Sequence, residues 1–173
     1  MKFVFTGCVG SGKTEAIKTV SDIPVISTEE KPSDDLEKQT TTVALDYGEL
    51  HLAQGSKLEL YGTPGQSRFA YMWKILSEGA SGFIILVNHK RPSPVEDLDM
   101  YVENFAEYLT ESNLAVGVTH TDDINLMTNE LSKYYEYLKH KNISAPVLPI
   151  DPRDASSVTT LLQALTVSIE QNL

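Results

Sequence analysis

Residues Gly7-Cys8-Val9-Gly10-Ser11-Gly12-Lys13-Thr14 spell G-x-x-x-x-G-K-[ST], the pattern of a loop that cradles phosphate groups. Its flanks have the order such a loop needs. The apolar run Phe3-Val4-Phe5 predicts a strand leading in, and Glu15-Ala16-Ile17-Lys18-Thr19-Val20 predicts a helix leading out. Backbone N–H groups of Gly7, Val9, Gly10, Ser11 and Gly12 then wrap a phosphate, and the helix N-terminus adds its partial positive charge. Lys13 is expected to reach the β- and γ-phosphates, and the Thr14 hydroxyl to ligate Mg²⁺.

Working outward, apolar runs alternate with helical patterns along the chain. Candidate strands are Lys2–Thr6, Val43–Leu52, Lys57–Tyr61, Gly82–Val87, Ala115–Val118 and Val147–Ile150. Phe83-Ile84-Ile85-Leu86-Val87 is apolar without a break, which suits a strand buried on both faces of a parallel sheet. Helical spacing recurs in Phe69/Met72/Trp73/Leu76, in Leu98/Tyr101/Val102/Phe105/Leu109, and in Val158/Leu161/Leu162/Leu165/Ile169. The alternation predicts a three-layer α/β/α sandwich with right-handed crossovers. One pair departs from it. Only Ala53-Gln54-Gly55-Ser56 separates the second and third candidate strands, a turn that forces an antiparallel hairpin. The sheet is therefore expected to be mixed and six-stranded, with one antiparallel edge strand, in a single domain over 1–173.

The 173 residues carry a formal net charge of −10 and one cysteine, Cys8. The charge disfavours nucleic acid or an anionic membrane as a partner. It leaves room for a phosphorylated small ligand held by local N–H groups. One cysteine allows no internal disulfide and fits a reducing cytoplasm. Neither a signal peptide, nor an apolar run long enough to span a bilayer, nor a lipidation signature is visible, so any membrane association is expected through a partner.

Other segments supply further pieces. The polar, acidic stretch Ser27–Thr41 reads as a long loop between the phosphate-loop helix and the hairpin, placed to respond to a bound nucleotide. Thr42 closes it and is the candidate second metal ligand and γ-phosphate sensor. In Gly62-Thr63-Pro64-Gly65-Gln66-Ser67-Arg68 a strand ends and a helix begins. The Gly65 N–H is placed to meet a γ-phosphate, and Gln66 to orient an attacking water. In Thr119-His120-Thr121-Asp122, a carboxylate at Asp122 can accept from both N1–H and the exocyclic amine of guanine, a pair adenine lacks. Asp123 can cap the next helix. The backbone of Asp151-Pro152-Arg153-Asp154 can approach the base edge, with the Arg153 stem lying on it; the same loop also reads as a turn plus a helix cap.

Taken together, these stretches resemble a small Ras-like GTPase, and within that superfamily the bacterial branch near the gliding-motility GTPase MglA. The resemblance rests on Gly7–Thr14, Thr42, Gly62-Thr63-Pro64-Gly65-Gln66, Thr119-His120-Thr121-Asp122 and Asp151–Asp154. It implies a GTP/GDP switch with Mg²⁺, slow intrinsic hydrolysis, effectors that read the loops, and regulators of the roadblock/LC7 type. Thr119, His120, Pro152 and Arg153 join Asp122 as base-side residues by the same resemblance. The chain also departs from the pattern. Gly62 stands where relatives carry an aspartate that holds Mg²⁺ through water, with Asp46 one substitute. Thr119-His120 replaces the usual Asn-Lys. Val9 replaces a glycine and would crowd an arginine finger. No arginine lies in the Ser27–Thr42 segment, where Lys38 is the nearest cation.

The reading is thus a slow GTP hydrolase that works as a switch, with Lys13 and Gln66 in the catalytic roles. The exposed part of Phe69, Tyr71, Met72 and Trp73 offers a partner surface in the segment expected to move, with core packing the favoured reading for Phe69 and Trp73. Two alternatives differ in class: a nucleotide-binding scaffold with little or no hydrolysis, and a P-loop kinase of small molecules. The kinase needs an arginine-rich lid, and the chain has only Arg68, Arg91 and Arg153.

Overall fold

The computed structural model describes residues 1–27, 45–52, 55–110, 112–121 and 127–171. At its centre lies β1 (Lys2–Thr6), flanked by β4 (Lys57–Gly62) and β5 (Gly82–Asn88), both parallel to it. The sheet continues through β6 (Leu114–Thr119) and β7 (Val147–Pro149) on one side. On the other, β3 (Asp46–His51) runs antiparallel to β4, and β2 (Ile26–Ser27) antiparallel to β3. The order is β2-β3-β4-β1-β5-β6-β7.

Two expectations need correction. Among the described residues the sheet has seven strands, and the reversed strand β3 is not its edge. The two-residue β2 lies outside it, and its short pairing (Ile26 with Tyr47, Ser27 with Asp46) leaves no periodicity to read. The hairpin itself forms as expected, with Leu52 N–H donating to Ser56 O at 2.8 Å.

Alternation along the central strands makes the three layers. Val4, Phe83, Ile85 and Val87 point to one side, among Trp73, Leu98, Tyr101, Phe105, Tyr134 and Leu138. Phe3, Phe5, Ile84 and Leu86 point to the other, among Ala16, Ile17, Val158, Leu161 and Leu165. Successive side chains of a strand face opposite ways, so both faces must be covered by helices. Helices α2 (Ala70–Ser77), α3 (Pro94–Phe105) and α4 (Met127–His140) cover the first face; α1 (Lys13–Val20) and α5 (Ala155–Glu170) cover the second.

Helix α4 was absent from the sequence-based list although Leu131, Tyr134 and Leu138 have the required spacing; its many polar residues dilute the apolar stripe. Leu109, grouped with α3 by spacing, lies beyond its end at Phe105, where Asn113 ties the following turn by accepting from Thr110 N–H and donating to Tyr108 O. No helix among the described residues is long and apolar enough to cross a membrane.

Candidate functional site

The carboxyl ends of β1, β5 and β6 lie along one edge of the sheet, since Thr6 pairs with Ile85 and Asn88 with Thr119. A cleft of about 740 Å³ opens there, between the phosphate loop and the loop 151–154. This is where open α/β sheets take their ligands. Helix α1 enters from Gly12, whose left-handed backbone (φ 96°) offers no side-chain cap. Its first N–H groups are left for an anion. A Cβ on Gly12 would come within 2.5 Å of Pro152 Cγ, so only glycine lets the loop 151–154 close down on the phosphate loop.

Lys13 is buried, and its ammonium donates to Gly7 O (2.6 Å) and Cys8 O (2.9 Å). Burial lowers its pKa to about 8. The side chain is thus folded along the loop, with its charge held against two loop carbonyls. Among the described residues Ser11 Oγ is buried without a hydrogen-bond partner. Val9, in contrast, is 61% exposed on the outside of the loop.

Thr14 does not stand alone. Its hydroxyl donates to Asp46 Oδ2 at 2.5 Å, and Ser27 Oγ donates to Asp46 Oδ1 at 2.6 Å. Asp46 faces Gly62 across the β3–β4 pair. A Cβ on Gly62 would lie 3.0 Å from Asp46 Cβ and 3.1 Å from its Oδ2, so the glycine makes room for this carboxylate. The cluster of two hydroxyls and one carboxylate is a set of hard oxygen donors, which fits Mg²⁺. Among the described residues no group of three or more His, Cys, Asp or Glu is close enough to hold a metal, and Mg²⁺ needs none, because it takes one or two protein oxygens plus ligand phosphates and water. Thr42, the expected second ligand, lies outside the described residues, as does the rest of the acidic stretch beyond Ser27.

Across the loop, Gly65 sits against the phosphate loop so closely that a Cβ there would be 2.7 Å from Val9 N and 3.0 Å from Lys13 Nζ. Trp73 Nε1–H donates to Pro64 O (2.8 Å) and Tyr101 O–H to Gly65 O (3.2 Å), so α2 and α3 hold this segment from behind. Gln66 follows with an exposed position, and the Arg68 guanidinium lies 4.6 Å from the Phe69 ring centroid. Phe69 and Trp73 are core residues, whereas Tyr71 (53% exposed) and Ile75 (55%) face outward.

At the base end, Thr119 is fully buried and its hydroxyl reaches Ser11 O at 3.1 Å, joining β6 to the phosphate loop. His120 takes a left-handed backbone (φ 60°), with Nδ1 2.9 Å from Thr119 Oγ1. It lines the cleft with Pro152 and Arg153. Arg153 forks onto Asp151 (Nε to Oδ1 2.9 Å, Nη2 to Oδ2 2.8 Å), which holds that carboxyl down at about 2. Asp154 accepts from Ser156 and Ser157 N–H and caps α5. The loop 151–154 is thus both a helix cap and a cleft wall. Asp122 and Asp123 lie outside the described residues.

The family model described as "Conserved hypothetical ATP binding protein" matches residues 5–171. The chain belongs to this family. It is also 30% identical over 111 residues to the human Ras-related protein Rab-40A-like, covering 62% of this chain and 36% of that protein. An uncharacterized protein from Methanocaldococcus jannaschii, MJ1339, is 24% identical over 136 residues, covering 78% of this chain and 79% of its own length. The chain spans about a third of the Ras-related relatives it matches. Among solved structures, a bacterial selenocysteine-specific elongation factor, EF-Sec, superposes with a TM-score of 0.72 over 99% of this chain and 29% of its own, at 19% identity. That likeness is one of fold, and the fold is the mixed α/β sandwich expected from the sequence.

For this member of the ATP-binding family, the structure adds cleft residues that the sequence reading missed. Lys90 lines the cleft beside His120 and Thr121. Its neighbour His89 contacts Tyr134 (Nδ1 to OH, 2.9 Å) and, through Nε2, Glu130. No local motif marks them; only the pairing of β5 with β6 brings the turn after β5 to the cleft.

Proposed function

We propose that this chain is a guanine-nucleotide switch, a single domain that binds GTP or GDP with Mg²⁺ and hydrolyses GTP slowly. The observation that carries the proposal is the joining of three parts at one sheet edge. The phosphate loop holds Lys13 inside it, the Thr14–Asp46 pair stands at its helix end, and Gly65 rests on its outer side.

Mg²⁺, when bound, neutralises charge on the phosphate oxygens. Thr14 and Thr42 are its proposed protein ligands, with Asp46 orienting the Thr14 hydroxyl. Lys13 attracts the β- and γ-phosphates, and the amides of Gly7 to Gly12 take up phosphate oxygens. The Gly65 N–H meets the γ-phosphate, and Gln66 orients the water that attacks it. The products are GDP and phosphate. Loss of the γ-phosphate removes its contact with the 62–73 segment, and partners read that change. Tyr71 is the large apolar side chain that this segment presents outward, and Ile75 follows it one turn later on α2. The MglA-type branch, with roadblock-type regulators, is the finer placement we favour.

The family's description names ATP. We favour guanine because the carboxylate of Asp122 follows β6, where it can accept two hydrogen bonds that adenine cannot donate. The 30% identity to a Ras-related protein supports the same choice.

Slow hydrolysis follows from the lack of an arginine in the 27–42 stretch and from exposed Val9, a β-branched side chain where a partner's arginine would enter. A single-turnover assay of the purified protein with GTP tests it. The expected rate is on the order of 10⁻³ s⁻¹ or below; about 1 s⁻¹ or faster contradicts the proposal. Transfer of the γ-phosphate to a small acceptor faster than to water would favour a kinase instead.

A further inference from the structure

The turn that follows β5 carries three cations in succession, His89 (when protonated), Lys90 and Arg91, in a chain of net charge −10. The two outer residues are anchored to different helices. His89 lies between Tyr134 and Glu130 of α4, and its N–H donates to Thr119 O at 3.0 Å. Arg91 Nε donates to Asp97 Oδ2 of α3 at 2.5 Å. The turn itself is closed by Asn88, whose side-chain oxygen accepts from Lys90 N–H (3.0 Å) and whose carbonyl accepts from Arg91 N–H (3.2 Å). Held on both sides in this way, the middle residue forms part of the cleft wall. It stands beside His120 and Thr121, whereas Lys13 and Thr14 occupy the phosphate end.

The cleft also contains Glu15, Asp151 and Asp154, which oppose entry of a polyanion. Lys13 answers that repulsion at the phosphates. Lys90, on the β5 side of the cleft, is a cation at the other end of the ligand's path. We infer that Lys90 is a nucleotide-binding residue, its ammonium contacting the nucleoside end of the ligand, the ribose and base, and not the terminal phosphates. The inference rests on the nucleotide-site reading above. Lys90 is exposed and outside the core, so its replacement leaves the fold intact.

Calorimetry of the full chain with GDP and with GTP, each with Mg²⁺, tests it in wild type, Lys90→Met and Lys90→Arg. Lys90→Met is expected to weaken GDP and GTP by the same factor, at least about tenfold, because a charged hydrogen bond is lost. Lys90→Arg is expected to recover most of the affinity. An unchanged Kd in Lys90→Met, a loss confined to GTP, or a loss that Lys90→Arg fails to recover overturns the assignment. Failure of the wild type to bind either nucleotide overturns the site reading itself, a distinct result.

Discussion

Asp46 and Gly62 face each other across the β3–β4 pair, and the Asp46 carboxylate fills the space that a side chain at position 62 would need. From there it accepts the Thr14 hydroxyl at 2.5 Å. We propose that the carboxylate which the resembled superfamily places at position 62 is supplied here by its cross-strand partner, Asp46. Such a transfer is sterically consistent because directly opposed strand residues have Cβ atoms only about 4.5–5.5 Å apart.

If Asp46 orients the Thr14 hydroxyl toward Mg²⁺, Asp46→Ala should raise the Mg²⁺ concentration needed to slow GDP release by roughly 10–100-fold, the usual effect of removing an outer-sphere carboxylate. Returning the carboxylate across the pair, in an Asp46→Ala/Gly62→Asp double variant, should recover part of that loss. Titrating the release rate with Mg²⁺ measures both. An unchanged half-point in Asp46→Ala would separate Asp46 from the metal.

Gly12→Ala tests the close approach of the two loops. The new Cβ meets Pro152 at 2.5 Å on a residue with φ 96°. Strain of this kind costs about 1–3 kcal/mol, and the 151–154 loop must move away to relieve it. We expect a lowered unfolding midpoint and nucleotide affinity down at least about tenfold. Full affinity in the variant would show that the contact is dispensable.

Thr119→Val keeps the shape of a fully buried side chain and removes its hydroxyl from Ser11 O and Val87 O. Buried groups left without a partner cost about 1–3 kcal/mol, or a Tm fall of roughly 2–12 °C for a domain of this size. Calorimetric melting of the ligand-free protein reads it. A Tm within a degree of wild type would mean that the hydroxyl does not tie β6 to the loop.

Arg153 holds Asp151 well below its ordinary value of 3.8, to about 2, through hydrogen bonds to the carboxylate. A depressed carboxyl stabilises the folded state fully above its unfolded pKa, and that contribution fades as pH falls from about 4 through about 2. Arg153→Met should move the Asp151 titration upward toward 3.8 and make unfolding less pH-dependent in that window. Carbon-detected NMR of the carboxyl follows it directly. The pair is largely exposed, so the effect on overall stability is expected to be small.

Much of this architecture was readable from residue order. The phosphate loop, the strand before it and the helix after it follow from an uninterrupted local motif, and β1 falls on Lys2–Thr6 as read. The unbroken apolar run Phe83–Val87 pointed to a strand covered on both faces, and its side chains enter both core layers. What was missed is non-local. The strand β2 is two residues long and exists through its pairing with β3. Helix α4 has the right spacing at Leu131, Tyr134 and Leu138, but polar neighbours obscure it. Lys90 reaches the cleft through strand order, which no short motif encodes. Asp46 could be named only as a substitute from the sequence; its tie to Thr14 required the β3–β4 register.

A guanine-nucleotide switch requires that the cleft accept guanine and reject adenine. Isothermal titration of the purified full chain with GDP and with ADP, in the presence of Mg²⁺, measures this directly. One GDP per chain, with ADP at least about 100-fold weaker as two lost hydrogen bonds to a carboxylate require, is the predicted result. Equal binding of ADP, or no heat with either nucleotide, would contradict it.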